Sequence, residues 1–245
     1  MLERRSTKGF SLVELSISLA IISLIVAGVV TGKSLVSQAK LRAALADFQG
    51  YSMSYAQFYN QYNALPGDFA RGYAYWNTDC AASTTACDGN NNGQIEYAGV
   101  DDSDREIMRA WQHLSLAELV PGTYSGTADP VTFNTPDNSP HGAVVDTYMF
   151  FQALPEWAWG KSNSLILMGA CTLGSWCGAM DAIDAKRLDS KIDDGVANLG
   201  KLFAISGDGL AANSCSAAKG EAGGADFNLN SSVTRSCILV YQQMR

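Results

Sequence analysis

From Phe10 to Gly32 the sequence reads FSLVELSISLAIISLIVAGVVTG, 23 residues with one charge, Glu14. At ~1.5 Å of rise per residue a helix of this length covers about 34 Å, enough to cross a bilayer core of about 30 Å. An apolar stretch of this size cannot be left in water, so it belongs in lipid or against other apolar helices. Arg4, Arg5 and Lys8 precede it against a single Glu3. By the positive-inside bias, its N-terminus lies on the cytoplasmic side and the rest of the chain outside.

The lone carboxylate is the anomaly in this run. Placing a charged side chain at the centre of a membrane helix costs roughly 2.5–3.5 kcal/mol on insertion scales, so such a residue is a functional candidate that needs a partner. The placement of small residues is equally telling. A secretory signal peptide has a shorter apolar stretch, followed by its cleavage site. Here the better processing site, Lys8-Gly9-Phe10, precedes the run, which is therefore expected to survive cleavage.

The pattern KGFSLVELSISLAII, Lys8 to Ile22, resembles the processing site of type IV prepilins and type II secretion pseudopilins. The resemblance implies that a membrane-embedded prepilin peptidase cuts after Gly9 and methylates the new N-terminal residue, Phe10. It also implies that Glu14, fifth in the processed chain, acts in assembly. The physical reason is that an α-amine at Phe10 and a carboxylate at Glu14 are opposite charges in an apolar medium. Each lowers the other's desolvation cost when a neighbouring subunit brings them together. The partners implied are other pilin or pseudopilin subunits, the peptidase, an inner-membrane assembly platform and the membrane. One departure is noted: many pilins carry a proline in the first half of this helix, and this chain does not.

Beyond Lys33 the pattern becomes amphipathic. Leu41, Leu45, Phe48, Tyr51, Tyr55, Phe58 and Tyr62 recur at steps of three and four, with Lys40, Arg42, Asp47, Gln57 and Gln61 on the other face. Ala64-Leu65-Pro66-Gly67 should stop the helix. The expected organisation is a leader over 1–9, a membrane or filament-core helix over 10–32, its amphipathic continuation over 33–63, and an extracytoplasmic domain over 64–245. The resemblance implies an α+β, pilin-like lollipop whose helix packs on a C-terminal antiparallel sheet. Single-pass anchorage in a bacterial inner membrane, with the domain in the periplasm, precedes incorporation into a pilus or pseudopilus.

Within the domain, LPGDF, an aromatic cluster ending at Trp76, CDGNNNGQIE and RAWQHLSLAEL are similar to a group of large pilin-like proteins from diderm bacteria. Arg105–Leu119 reads as an amphipathic helix burying Ile107, Trp111, Leu114 and Leu119. Strands are expected at Val144–Phe151, Leu165–Met168, Leu202–Ile205 and Ser236–Tyr241, and a short helix between Asp181 and Asp193. Six cysteines permit fifteen pairings, and proximity in sequence favours Cys80–Cys87, Cys171–Cys177 and Cys215–Cys237. The N-terminal signal sends them to an oxidising compartment, and no C-x-x-C is present.

Asp88, Asn90, Asn92, Gln94 and Glu96, with Gly93 at the turn, match the opening of a calcium loop, D-x-[DN]-x-[DN]-G. The far end departs from it, since the twelfth position is Gly99. Glu96, Asp101 or Asp102 would have to complete the shell around a weak structural calcium. An ion-free turn closed by Cys80–Cys87 is the alternative.

His113, within the Trp111-Gln-His-Leu helix, reads as a packing or hydrogen-bonding residue, and His141, in a loop, lacks the companions of a catalytic set. No hydrolase, metalloprotease or phosphate-loop motif occurs, so enzymatic activity has no support. The net charge of -7 becomes -9 once a leader with three basic residues and one acidic residue is removed, so direct nucleic-acid binding is not expected. The size of the domain favours a minor or specialised filament subunit. A tip subunit that binds a surface, a secreted substrate or DNA is the alternative, and a membrane-anchored periplasmic enzyme a remoter one. Trp157 and Trp159 are expected to cover one side of the sheet, with anchoring of a ligand or partner as their alternative role.

Overall fold

The computed structural model describes residues 9–80, 83–97, 106–127, 136–154, 163–170, 175–208, 210, 213–216 and 226–242. The chain divides into two compact units between Lys40 and Leu41, and helix α1, Leu12–Tyr62, runs through the boundary. In the second unit follow α2 (Gly72–Trp76), a 3-10 turn at Asn77–Asp79, α3 (Thr84–Cys87) and α4 (Glu106–Leu116). Then come β1 (Thr147–Ala153), β2 (Asn163–Gly169), α5 (Ala182–Ile192), β3 (Leu202–Ser206) and β4 (Cys237–Gln242). The fold is α+β, a long N-terminal helix followed by an antiparallel sheet.

The sheet has the order β1-β2-β4-β3, every neighbour antiparallel. Both faces are covered. Phe151 stacks on Tyr55 of α1 at 5.3 Å between ring centroids and meets Trp111 of α4 at 4.9 Å. Phe150, one residue earlier and so on the opposite face, meets Trp176 at 6.1 Å. Burial on two sides explains why LILM and CILVY are continuous apolar runs, without the alternation of a half-exposed strand.

Of the predicted face of α1, Leu41, Phe48, Tyr55 and Phe58 are buried, and Leu45, Tyr51 and Tyr62 pack against the same core. Asp47, placed on the solvent face by periodicity, is instead half-buried and accepts the Ala143 amide at 2.9 Å. The helix ends where Asn63 adopts a left-handed conformation (φ 50°), which asparagine tolerates at a C-terminus.

Two expectations are corrected. The strand expected from Val144 begins at Thr147, because Asp146 turns the chain at φ 53° and the Thr147 hydroxyl bonds back to the Val144 carbonyl. Helix α4 is not half solvent-facing. Every residue from Glu106 to Leu114 is buried, Arg109 and Gln112 included, and His113 is buried and hydrogen-bonded as expected.

Cys80–Cys87 and Cys215–Cys237 are disulfide-bonded. Cys177 is also in a disulfide, while Cys171, Trp157 and Trp159 lie outside the described residues.

Candidate functional site

The site begins ahead of α1. Gly9 and Phe10 precede the helix, Phe10 is 89% exposed, and a Cβ added at Gly9 would meet nothing within 4 Å. The bond between them lies in non-helical, open backbone, the state in which a peptidase can engage it. Ser11 stands before the helix, and Glu14 folds back so that its Oε2 accepts the Ser11 amide at 2.9 Å. Ser-x-x-Glu here is the carboxylate half of a capping box, which satisfies one of the amides a helix start leaves without a partner.

The following turns are prepared for an apolar medium. Ser16, Ser18, Ser23 and Thr31 each donate their hydroxyl to a carbonyl three or four residues back, at 2.7–2.9 Å. No side-chain hydroxyl is left to seek water, as burial in hydrocarbon demands. All of the residues from 9 to 31 are exposed, and among the described residues α1 is the helix long and apolar enough to cross a membrane.

Residues 4–30 match the prokaryotic N-terminal methylation motif. This is the type IV pilin and pseudopilin signal. Compared with curated proteins and with solved structures, the chain finds no match. The pilin-like chain is thus a prepilin peptidase substrate, with an apolar helix suited to membrane anchoring.

In the pilin-like chain's second unit, the loop over 88–96 is organised by two buried carboxylates, Asp68 and Glu106, each 2% exposed. Asp68 accepts the amides of Asn92 (3.0 Å) and Gly93 (2.8 Å); Glu106 accepts those of Asn90 (2.9 Å) and Glu96 (3.2 Å). Asn90 and Asn92 close Asx-type bonds onto the amides of Asn92 and Gln94, and both donate their side-chain amides to Glu96 Oε2. Asp88 Oδ1 accepts from the Tyr73 amide. The residues expected around calcium are thus brought together, but by protein hydrogen bonds. Among the described residues, three carboxylates do not converge there within 4.8 Å of one another; Gly99, Asp101 and Asp102 lie outside those residues.

Glycine matters at two points of this loop. A Cβ at Gly67 would strike the Glu106 carbonyl, and one at Gly89 would strike the backbone of Gly67 and Asp68. Burial pushes the Asp68 carboxyl up from its ordinary value, against its amide bonds. Burial, and then the Asp68 and Glu96 charges, push Glu106 up to about 7, opposed by the Asn90 and Glu96 amides.

Sequence reasoning passed over Asp68 and Glu106. The signal was the presence of LPGDF, CDGNNNG and the α4 segment in one chain, since α4 supplies the polar groups that hold the other two. Arg109 Nη1 donates to the Asp88 carbonyl at 2.7 Å, and Gln112 Nε2 to the Cys80 carbonyl at 2.6 Å. His141 sits against Tyr148 at 4.6 Å between centroids and gathers no catalytic companions among the described residues.

Proposed function

We propose that this chain is a minor pilin or pseudopilin, a structural and non-enzymatic subunit of a type IV pilus or type II secretion filament. Before assembly it is a single-pass protein of the bacterial inner membrane with its 64–245 domain in the periplasm. The methylation motif over 4–30 carries the reading, together with the twenty helical residues, 12–31, most of them within it, that the chain leaves wholly exposed. At 1.5 Å per residue they amount to about 30 Å of apolar rod that only lipid or neighbouring subunits can cover. After cleavage at Gly9 the Phe10 amine would stand one helical turn from Glu14, and pairing between subunits would neutralise both. The size of the globular part supports a specialised role over a bulk building block.

The test separates charge from capping. Glu14→Gln keeps an acceptor for the Ser11 amide, since glutamine also serves in capping boxes, but removes the charge. Expressed in a host that assembles the filament, Glu14→Ala and Glu14→Gln should both reach the membrane fraction, cleaved after Gly9, yet be missing from sheared filaments. Normal incorporation of Glu14→Gln would reduce Glu14 to a helix cap and remove its proposed assembly role.

A further inference from the structure

The C-terminal end of α5 holds an arrangement that the filament reading does not use. The helix starts at the Asp181 cap, whose carboxylate accepts the Asp184 amide at 2.8 Å. It buries Ala182, Ala185 and Leu188. On the same buried side lies Asp189, 0% exposed, and neither of its carboxylate oxygens has a hydrogen-bond partner. Protein interiors do not ordinarily tolerate this. A bare buried carboxylate costs several kcal/mol, and the ordinary remedies are a cation, a set of donors or a metal.

Asp189 is not alone. One carboxylate oxygen from each of Asp189, Asp193 and Asp194 lies within 4.8 Å of the other two. Asp189 lies in the last turn of α5, Asp193 is its C-cap and Asp194 follows, where the helix's own carbonyl ends add further negative potential. Among the described residues, no lysine or arginine forms an ion pair with any of the three.

The two outer carboxylates are held in place by backbone. Asp193 Oδ2 accepts the Lys201 amide, and Asp194 Oδ1 accepts the Val196 amide at 2.8 Å. Each keeps a second oxygen. Gly200 is required for the first of these, because a Cβ there would collide with the Asp193 carboxylate. Burial, then the charges of Asp194 and Asp193, raise the Asp189 carboxyl to about 7; the Gly195 amide offsets part of this but stays outside hydrogen-bonding geometry.

We propose that Asp189, Asp193 and Asp194 form a calcium site that fastens the last turn of α5 to the loop leading into β3. Three carboxylates and no nitrogen or sulfur donor select a hard cation. Oxygens spread over as much as 4.8 Å fit calcium, whose bonds of about 2.3–2.6 Å tolerate irregular shells, better than magnesium with its tighter octahedron. Asp193 and Asp194 are exposed, so water completes the shell from the open side while Asp189 closes it from the core. The expected affinity is that of extracellular modules, with Kd of about 10⁻⁴–10⁻³ M. Only the physiological availability of the ion rests on the periplasmic reading; the binding itself does not.

The test is thermal unfolding of the full chain in detergent, after exhaustive chelation, with calcium or magnesium added to 10 mM. At 10 mM, a ten- to hundredfold excess over that Kd, calcium should raise the wild-type melting temperature by about 3–10 °C, and magnesium distinctly less. Asp194→Ala, at an exposed position, should fold normally and lose most of that gain. Asp189→Asn, which removes the buried charge, should melt no lower than wild type in chelator and not respond to calcium. Glu96→Gln, altering the 88–96 loop, should respond as wild type does. Absence of any calcium shift in the wild type would overturn the site. So would a shift that persists in Asp194→Ala and disappears in Glu96→Gln, which would move the ion to the other loop.

Discussion

His113 ties three parts of the globular unit together, and its protonation should set a measurable acid sensitivity. Its Nδ1 accepts the Gly67 amide at 3.0 Å, and its Nε2 lies 2.9 Å from the Cys87 carbonyl. The Gly67 N–H can only donate, so Nδ1 is unprotonated and Nε2 carries the hydrogen for Cys87. The ring is fully buried and lies parallel to Phe58 at 6.2 Å, with Trp76 at 5.2 Å. A proton on Nδ1 would set N–H against N–H. Burial lowers the His113 pKa from 6.5 to about 4, with the Cys87 carbonyl opposing and the Arg109 charge assisting. The unfolded chain therefore takes up this proton near pH 6.5 and the folded chain only near pH 4. The stabilisation is complete above pH 6.5 and is lost as pH falls to 4, a total of about 3 kcal/mol at 1.36 kcal/mol per unit. The reference is His113→Asn, whose Oδ1 can replace Nδ1 toward Gly67 but which leaves Cys87 unmatched and cannot titrate. Urea unfolding should show wild type well ahead at pH 7.5 and its lead reduced by about 3 kcal/mol at pH 4. A lead independent of pH refutes the reasoning. Should the variant not fold, the His113 ring nitrogens followed by NMR must stay in the neutral Nε2–H form down to pH 5.

Glu106 should act with the opposite sign. Its carboxyl, raised to about 7, favours folding below pH 4.5, and this contribution is lost as pH rises through 7. Glu106→Gln should thus improve relative to wild type by up to about 3 kcal/mol between pH 5 and pH 8 in the same urea assay; a constant difference counts against it. Replacing Cys215 and Cys237 together by alanine opens a loop of 22 residues that anchors central strand β4. Melting should report a loss of about 3 kcal/mol, and an unchanged melting temperature would deny the bond a structural role. Phe151→Ala removes the ring shared by Tyr55 and Trp111, so a cost of about 3–5 kcal/mol is expected from denaturant unfolding; less than 1 would mean the sheet and α1 do not depend on that contact.

The parts of the fold legible in the sequence are those whose residues answer to their own neighbours. The steps of three and four from Leu41 to Tyr62 identify a helix face because the period belongs to the helix itself. The cores of β2, β3 and β4 stand out because burial on both faces leaves unbroken apolar runs. Helix α4 is the converse case. Glu106, Arg109 and Gln112 look like a solvent face, yet their partners lie 10 to 32 residues away. Asp189 was concealed in the same way: D-x-x-x-D-D shows three carboxylates close in sequence, but nothing local says that the first is buried.

The two helices show how the same polar atoms can prepare a segment for different surroundings. In α1, the serine and threonine hydroxyls of the apolar half, and the Glu14 carboxylate at its start, bond within four residues. That segment carries its hydrogen bonding with it, as the proposed transfer from lipid to filament would require. In α4, the polar side chains are satisfied only by the loops around 67, 80 and 87–96, so the helix and those loops must form together. Cutting one of these links, as His113→Asn does, should lower the stability of the globular unit while leaving membrane insertion of the N-terminal segment intact. The two requirements that the proposed function places on this chain, a mobile anchor and a fixed domain, would thus be met by local bonding in one helix and remote bonding in the other.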